Sequence, residues 1–158
     1  SGIVPKILEF ADFPYQVNLA ISLHAPTNEI RNSIMPINKA YPIEKLMDAL
    51  RIYYEKTKRK ITFEYVMLSG INDTDECAER LAKLLKGMNC YVNLIPYNET
   101  NNIGYKRSKK EKILRFYDIM KKNNINVTIR REFGGKISAA CGQLRSKKEN
   151  SDNREANA

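Results

Sequence analysis

Apolar residues along this chain recur with two periods that take turns. Val17-Asn18-Leu19-Ala20-Ile21-Ser22-Leu23-His24 alternates apolar with small or polar positions, as a strand buried on at least one face does, and Pro26 stops it. Ile61 to Leu68 is rich in β-branched and aromatic residues and predicts a second strand. Cys90 to Asn98 predicts a third and Asn126 to Arg131 a fourth. Between them the spacing changes to three and four. Ile43, Leu46, Met47, Leu50 and Tyr54 predict a helix that opens on Pro42 and closes in the basic cluster Lys56 to Lys60. Cys77, Leu81 and Leu84 mark a helix through Leu85, closed by Gly87. Ile113, Phe116, Tyr117 and Met120 form the apolar stripe of a third, ended by Asn123-Asn124.

Side chains at the helix starts sharpen these limits. Asp73 with Glu76, and Ser108 with Glu111, read as capping boxes, and Thr27 or Asn28 caps a short helix running to Met35. Ser1 to Asp12 is a connecting segment that buries one side through Ile3, Val4, Ile7, Leu8 and Phe10. The order is therefore strand, helix, strand, helix, strand, helix, strand, with connections long enough for right-handed parallel crossovers. This predicts an α/β fold, either a small open sheet or part of a (β/α) barrel, since a complete eight-unit barrel needs about 250 residues. Residues 1–144 are expected to form the domain, and 145–158, with mixed charge and no apolar residue larger than alanine, a disordered tail.

Charge adds a partner to this picture. The formal net charge is +9. Between Tyr105 and Arg131 stand ten basic residues (Lys106, Arg107, Lys109, Lys110, Lys112, Arg115, Lys121, Lys122, Arg130 and Arg131) against Glu111 and Asp118. Such a concentration favours a polyanion, with nucleic acid first among them, although a charge run also serves as a solvated helix face. No stretch reaches the roughly 18 to 20 apolar residues of a membrane span, and no leader is evident, so a cytoplasmic location is expected. The chain opens on Ser1 rather than Met, as a processed product or a piece of a longer protein would.

Three cysteines, Cys77, Cys90 and Cys141, lie far apart without a CxxC pair, and His24 is the single histidine, so neither a disulfide framework nor a zinc site fits. Cys77 and Cys90 fall in a helix stripe and a strand. Cys141 sits in Ile137-Ser138-Ala139-Ala140-Cys141-Gly142-Gln143-Leu144, where small neighbours permit close approach to the sulfur; a packed small-residue turn is the structural alternative. Ligands of parallel α/β folds bind beyond the carboxyl ends of the strands. Those ends carry Ser22 to His24, Met67 to Ser69, Asn98 and the segment from Glu132 to Gln143. No phosphate loop, dinucleotide fingerprint, serine triad or carboxylate pair of clear spacing is present.

Ala20-Ile-Ser-Leu-His-Ala-Pro26, Met35-Pro-Ile-Asn38, Glu64-Tyr-Val-Met-Leu68 with Asn72-Asp73, Asn93-Leu-Ile-Pro-Tyr-Asn98 and Ala139-Ala-Cys-Gly-Gln-Leu144 together resemble the radical S-adenosylmethionine RNA methyltransferases of the RlmN and Cfr type, in order from Ser1 to about Arg145. The resemblance implies the carboxyl-terminal half of a six-unit partial TIM-like barrel. It also implies methylation of adenine C2 in 23S ribosomal RNA, and in transfer RNA, through a methylated cysteine. Cys141 matches that cysteine, and Ser22, Leu23, His24 and Asn98 match positions that contact S-adenosylmethionine, the first three largely through backbone. The family's CxxxCxxC motif for a [4Fe-4S] cluster does not occur in the sequence, so no metal ligand is assigned and the chain alone is expected to be inactive. Phe133-Gly-Gly-Lys136 and Ser138 depart from the acidic residues common before this cysteine, and C8 methylation of the Cfr type stays open. Two other readings are carried beside this one, a noncatalytic RNA-binding module built on the basic helix after Ser108 and a thiol redox protein centred on Cys141. A half barrel exposes edges at Val17 to His24 or Asn126 to Arg131, and self-association through them is expected.

Overall fold

A computed structural model describes residues 2–99 and 104–130. Among them the helices are α1 (Val4–Ala11), α2 (Asn28–Ile34), α3 (Ile43–Thr57), α4 (Asp75–Leu85) and α5 (Lys110–Lys122). The strands are β1 (Leu19–Ser22), β2 (Ile61–Met67), β3 (Cys90–Pro96) and β4 (Val127–Ile129), and a short 3-10 helix spans Pro36–Lys39. The strands form one sheet in the order β1-β2-β3-β4, and every neighbouring pair is parallel. Sequential parallel order is the arrangement of an arc of a (β/α) barrel. Right-handed crossovers taken in one direction put α3, α4 and α5 on the same side of the sheet.

Burial records that one-sidedness. Along β2, Ile61, Phe63, Tyr65 and Met67 are buried, while Thr62, Glu64 and Val66 between them are half-buried; β3 repeats the pattern. The buried set joins Leu46, Leu50 and Tyr53 of α3, Leu81 and Leu85 of α4, and Ile113, Phe116 and Met120 of α5 in one core. Each such side chain contributes roughly 1.5 to 3 kcal/mol on leaving water. Among the described residues no helix covers the second face.

Several local expectations shift. β1 is shorter than Val17 to His24, because the Tyr53 hydroxyl donates to the Val17 carbonyl at 2.7 Å and Arg59 donates to the Asn18 side chain at 2.9 Å. These side-chain contacts take the segment before Leu19 away from the ladder. Tyr53 rather than Tyr54 is the aromatic of the α3 stripe, and Leu85 rather than Leu84 completes that of α4. Ile7 and Ala11 of α1 are buried, whereas Phe10 and Ile3, just before the helix, are exposed. Pro42 precedes the first helical residue of α3, whose amide is capped from a distance by the Asn28 side chain at 2.8 Å. Thr27 caps α2. Asp73 does not cap α4, since its carboxylate accepts from the Gly70 amide, and the neighbouring Thr74 takes the role. Ser108 does not cap α5. Arg107 forms a bridge to Leu68, and the Ser69 amide donates to the Lys106 carbonyl at 2.9 Å, which draws the segment inward; Ser108 is buried and the helix begins at Lys110. β4 covers Val127–Ile129 of the expected Asn126 to Arg131, with β1 and β4 at the two edges. The expected tail, 145–158, lies outside the described residues.

Candidate functional site at the strand ends

Parallel pairing brings the carboxyl ends of all four strands to one rim, where Ser22 closes β1, Met67 closes β2 and Pro96 closes β3. Asn98 follows two residues past β3 and is half-buried. Cys141, the expected methyl carrier, lies outside the described residues.

After Ser22 the chain leaves the sheet abruptly. His24 adopts φ 58, a left-handed conformation that a non-glycine residue holds only under outside constraint. Two buried side chains supply it. Arg31, fully buried, donates from Nε to the Leu23 carbonyl at 3.1 Å, from Nη2 to the Ser22 carbonyl at 3.2 Å, and from Nη1 to the Asn38 side chain at 2.9 Å. Asn72, also fully buried, donates from Nδ2 to the carbonyls of His24 at 2.8 Å and Val66 at 2.7 Å, and its Oδ1 accepts from the Leu68 amide at 2.7 Å. The Leu23 and His24 amides both donate to the Glu64 carbonyl, at 3.1 and 3.3 Å. The carbonyls of Ser22, Leu23 and His24 and the amides of the last two are therefore engaged within the protein. Leu23 has no exposed surface. A ligand on this turn finds the Ser22 hydroxyl and the His24 ring more readily than new backbone partners.

His24 is held in one state. Its Nδ1 accepts from the Val66 amide at 3.1 Å, which leaves the proton of the neutral ring on Nε2. Burial, and then the nearby Arg31 charge, lower its pKa to about 4 against the opposing pull of the Glu64 carbonyl. Burial likewise lowers the Arg31 pKa from its ordinary value. Gly2 packs behind this guanidinium with φ 85, where a Cβ would stand 3.1 Å from Arg31 Nη2 and 3.2 Å from the Leu46 side chain. Only glycine meets both conditions without displacement.

The other face of the sheet sets Ser22 in line with three residues to which the sequence assigned no site role. Ser22, Glu64, Asn93 and Thr128 stand in register across the four strands, and Asn93 Nδ2 donates to Glu64 Oε2 at 2.9 Å. The strict alternation of Ile61 to Met67 was the available signal, since it sets Glu64 on the face opposite Phe63 and Tyr65. Arg31 and Asn72 had weaker ones, a lone arginine in a short helix and an asparagine within a turn.

A second feature lies where α5 meets the ends of β3 and β4. A cleft of about 270 Å³ is floored by Pro96, Ile113, Leu114 and Ile129 and rimmed by Arg107, Lys110 and Arg130. Cys77 and Cys90 are buried, and burial raises the Cys90 thiol to about 11, which makes it a poor nucleophile. Among the described residues no group of three histidine, cysteine or acidic side chains could hold a metal, and no helix is long and apolar enough to cross a membrane.

No protein-family model matches the chain. Individual relatives do. It is 61% identical over 150 residues to the probable dual-specificity RNA methyltransferase RlmN of Enterococcus faecalis, covering 93% of this chain and 42% of that protein. Identity to the protein of the same description from Spiroplasma citri is 58% over 148 residues, covering 94% and 42%. The chain thus spans less than half the length of these curated relatives. Among solved structures, a radical SAM methyltransferase from Sphaerobacter thermophilus superposes with a TM-score of 0.88 at 49% identity, over 90% of this chain and 42% of that one. A domain of a pyruvate-formate lyase-activating enzyme from Bacteroides vulgatus, at 14% identity and a TM-score of 0.61, shares the fold.

Proposed function

This chain is a homologue of part of the RlmN methyltransferases, and from that premise we propose that it forms the substrate-side half of a radical S-adenosylmethionine domain that methylates adenine C2 in ribosomal and transfer RNA. The observation that carries the proposal is the identity of 56–61% along nearly the whole chain to proteins of that description. The fold and the strand-end chemistry agree with it.

S-adenosylmethionine fits the rim on the chemistry of its donors and acceptors. The Ser22 hydroxyl, the Nε2 proton of a neutral His24 and the Asn98 amide are hydrogen-bonding groups past the ends of β1 and β3 on one rim, and the Arg31 and Asn72 contacts hold the turn that presents the first two. Bound there, one molecule of the cofactor would supply a methyl group, and a second, reductively cleaved, the radical that activates it. An iron-sulfur cluster does not fit the described residues, which assemble no ligand set. With no CxxxCxxC motif in the sequence, such a cluster would take its ligands from elsewhere. Cys141 is the proposed methyl carrier in residues 1–144, the proposed domain portion. The cationic rim of Arg107, Lys110 and Arg130 over an apolar floor suits a phosphate backbone with a base laid against it, which supports RNA as the substrate.

Calorimetric titration of S-adenosylmethionine into the chain tests this reading, with Asn98→Ala as the control. Binding that is lost in the variant is expected. Binding indifferent to Asn98, or methylation of adenine by this chain alone, would overturn the assignment of roles.

A further inference from the structure

We propose that the chain holds single-stranded RNA at a second place, a hollow at the amino ends of β2 and β3, and so anchors its partner at the end of the sheet opposite the Ser22 rim. The inference shares with the proposed function the choice of RNA as partner and uses no residue of the rim. Ile61 opens β2 and Cys90 opens β3, and the two pair in register. Between the last turns of α3 and the turn that leads from α4 into β3 lies a hollow of about 200 Å³, lined by Tyr54, Ile61 and Met88 and by the cations Arg51 and Lys86. A strand rises about 3.3 Å per residue, so the seven residues of β2 set this hollow roughly 20 Å from the rim. One nucleotide cannot touch both.

The basic cluster Lys56 to Lys60 ends α3 beside this hollow, and the fold does not pair all of its charges. Lys56 bonds Asp12 at 2.5 Å, Arg59 bonds the Asn18 side chain at 2.9 Å, and Arg51 bonds Asp48 at 2.9 Å. Lys58, Lys60 and Lys86 are exposed, and none has a carboxylate partner among the described residues. Glu55 is the one acidic residue that lines the hollow. Lys58 is the sharper observation. It closes α3 with φ 55, a left-handed conformation that favours glycine, and Gly87 on the other wall holds φ 80 with a glycine. The lysine keeps a side chain there at a conformational cost, and its ammonium stands 5.8 Å from the centre of the Tyr54 ring.

An aromatic ring and a thioether beside unpaired cations suit a base with its phosphates. Stacking on a ring tolerates any base, because every base has a π-face, while the lysines neutralise the backbone. A paired base in a duplex has both faces covered by its neighbours, so a single strand fits where a helix does not. An acidic protein segment would match the charges and leave Tyr54 and Met88 without a flat partner.

A short single-stranded oligoribonucleotide carrying 2-aminopurine, titrated into the chain across a salt series, tests this. Binding with quenched fluorescence is expected. Lys58→Gly with Lys86→Gln should lower the slope of log affinity against log salt by about 0.7 for each cation removed. The thermal transition should survive, since glycine suits the backbone at that position. Tyr54→Leu should weaken binding at least about fivefold and relieve the quench with the slope unchanged, and Tyr54→Phe should keep wild-type behaviour. Lys110→Glu with Arg130→Glu gives the comparison at the cleft beside α5. Loss confined to that pair overturns this inference and leaves RNA as the partner. Loss in the Lys58, Lys86 and Tyr54 variants supports it, whether or not the α5 pair also matters. A wild-type chain that binds no single strand, or binding indifferent to the hollow, overturns it and assigns this surface to a protein partner.

Discussion

His24 Nδ1 accepts the amide hydrogen of Val66 at 3.1 Å, so a side chain at the β1 exit bonds the backbone of its neighbour strand. The bond requires a neutral ring, so proton uptake in the folded state must break it.

Stability should therefore fall in acid through a defined window. The unfolded ring titrates near 6.5 and the folded one near 4, lowered by burial and by Arg31, so between those values the unfolded state binds more protons. The contribution is intact above pH 6.5 and is lost as the pH falls toward 4, to at most about 3 kcal/mol. Urea midpoints at pH 7 and pH 5 measure it. His24→Gln, which cannot titrate, should flatten the slope between them; an unchanged slope would show that other groups govern this window.

The left-handed turn at His24 depends on the Asn72 amide. Asn72→Asp keeps the size but turns a donor shared by the His24 and Val66 carbonyls into an acceptor, and should cost about 3 kcal/mol or more. Arg31→Leu should cost as much, because it strips the Ser22 and Leu23 carbonyls and Asn38 of a buried partner. Chemical denaturation reads both. Losses below 1 kcal/mol would mean that water replaces these side chains readily.

Charge reversal at the cleft separates RNA contact from a solvated helix face. Lys110→Glu with Arg130→Glu should weaken binding of a short RNA hairpin at least tenfold at low salt and reduce the slope of log affinity against log salt by about one for each phosphate that the variant no longer neutralises. Filter binding across a salt series gives both numbers. Unchanged affinity and slope would place the RNA surface elsewhere on the chain.

Periodicity alone was enough for the order of elements, because a stripe at three and four or an alternation at two is written in neighbouring residues. It located α3 through Leu46 and Leu50, β2 through Phe63 and Tyr65, and the basic helix through Phe116 and Met120. The strand patterns marked Ser22 to His24 and Asn98 as strand-end residues, and the parallel sheet sets them along one rim. Helix starts were less legible. Ser108 has the chemistry of a cap, yet the bridge between Leu68 and Arg107 draws it inward, and no local pattern announces a contact of that range.

What the sequence by itself determined, then, was the succession of strands and helices, the family resemblance and the residues that end each strand. Tertiary structure alone decided that among the described residues one sheet face is without a helix, that Glu64 lies between Ser22 and Asn93, and that Arg31 and Asn72 hold the turn at His24. The reason is physical. Alternation assigns a side chain to a face, but its neighbours on that face come from other strands, and register is set by pairing between segments that lie far apart in the chain.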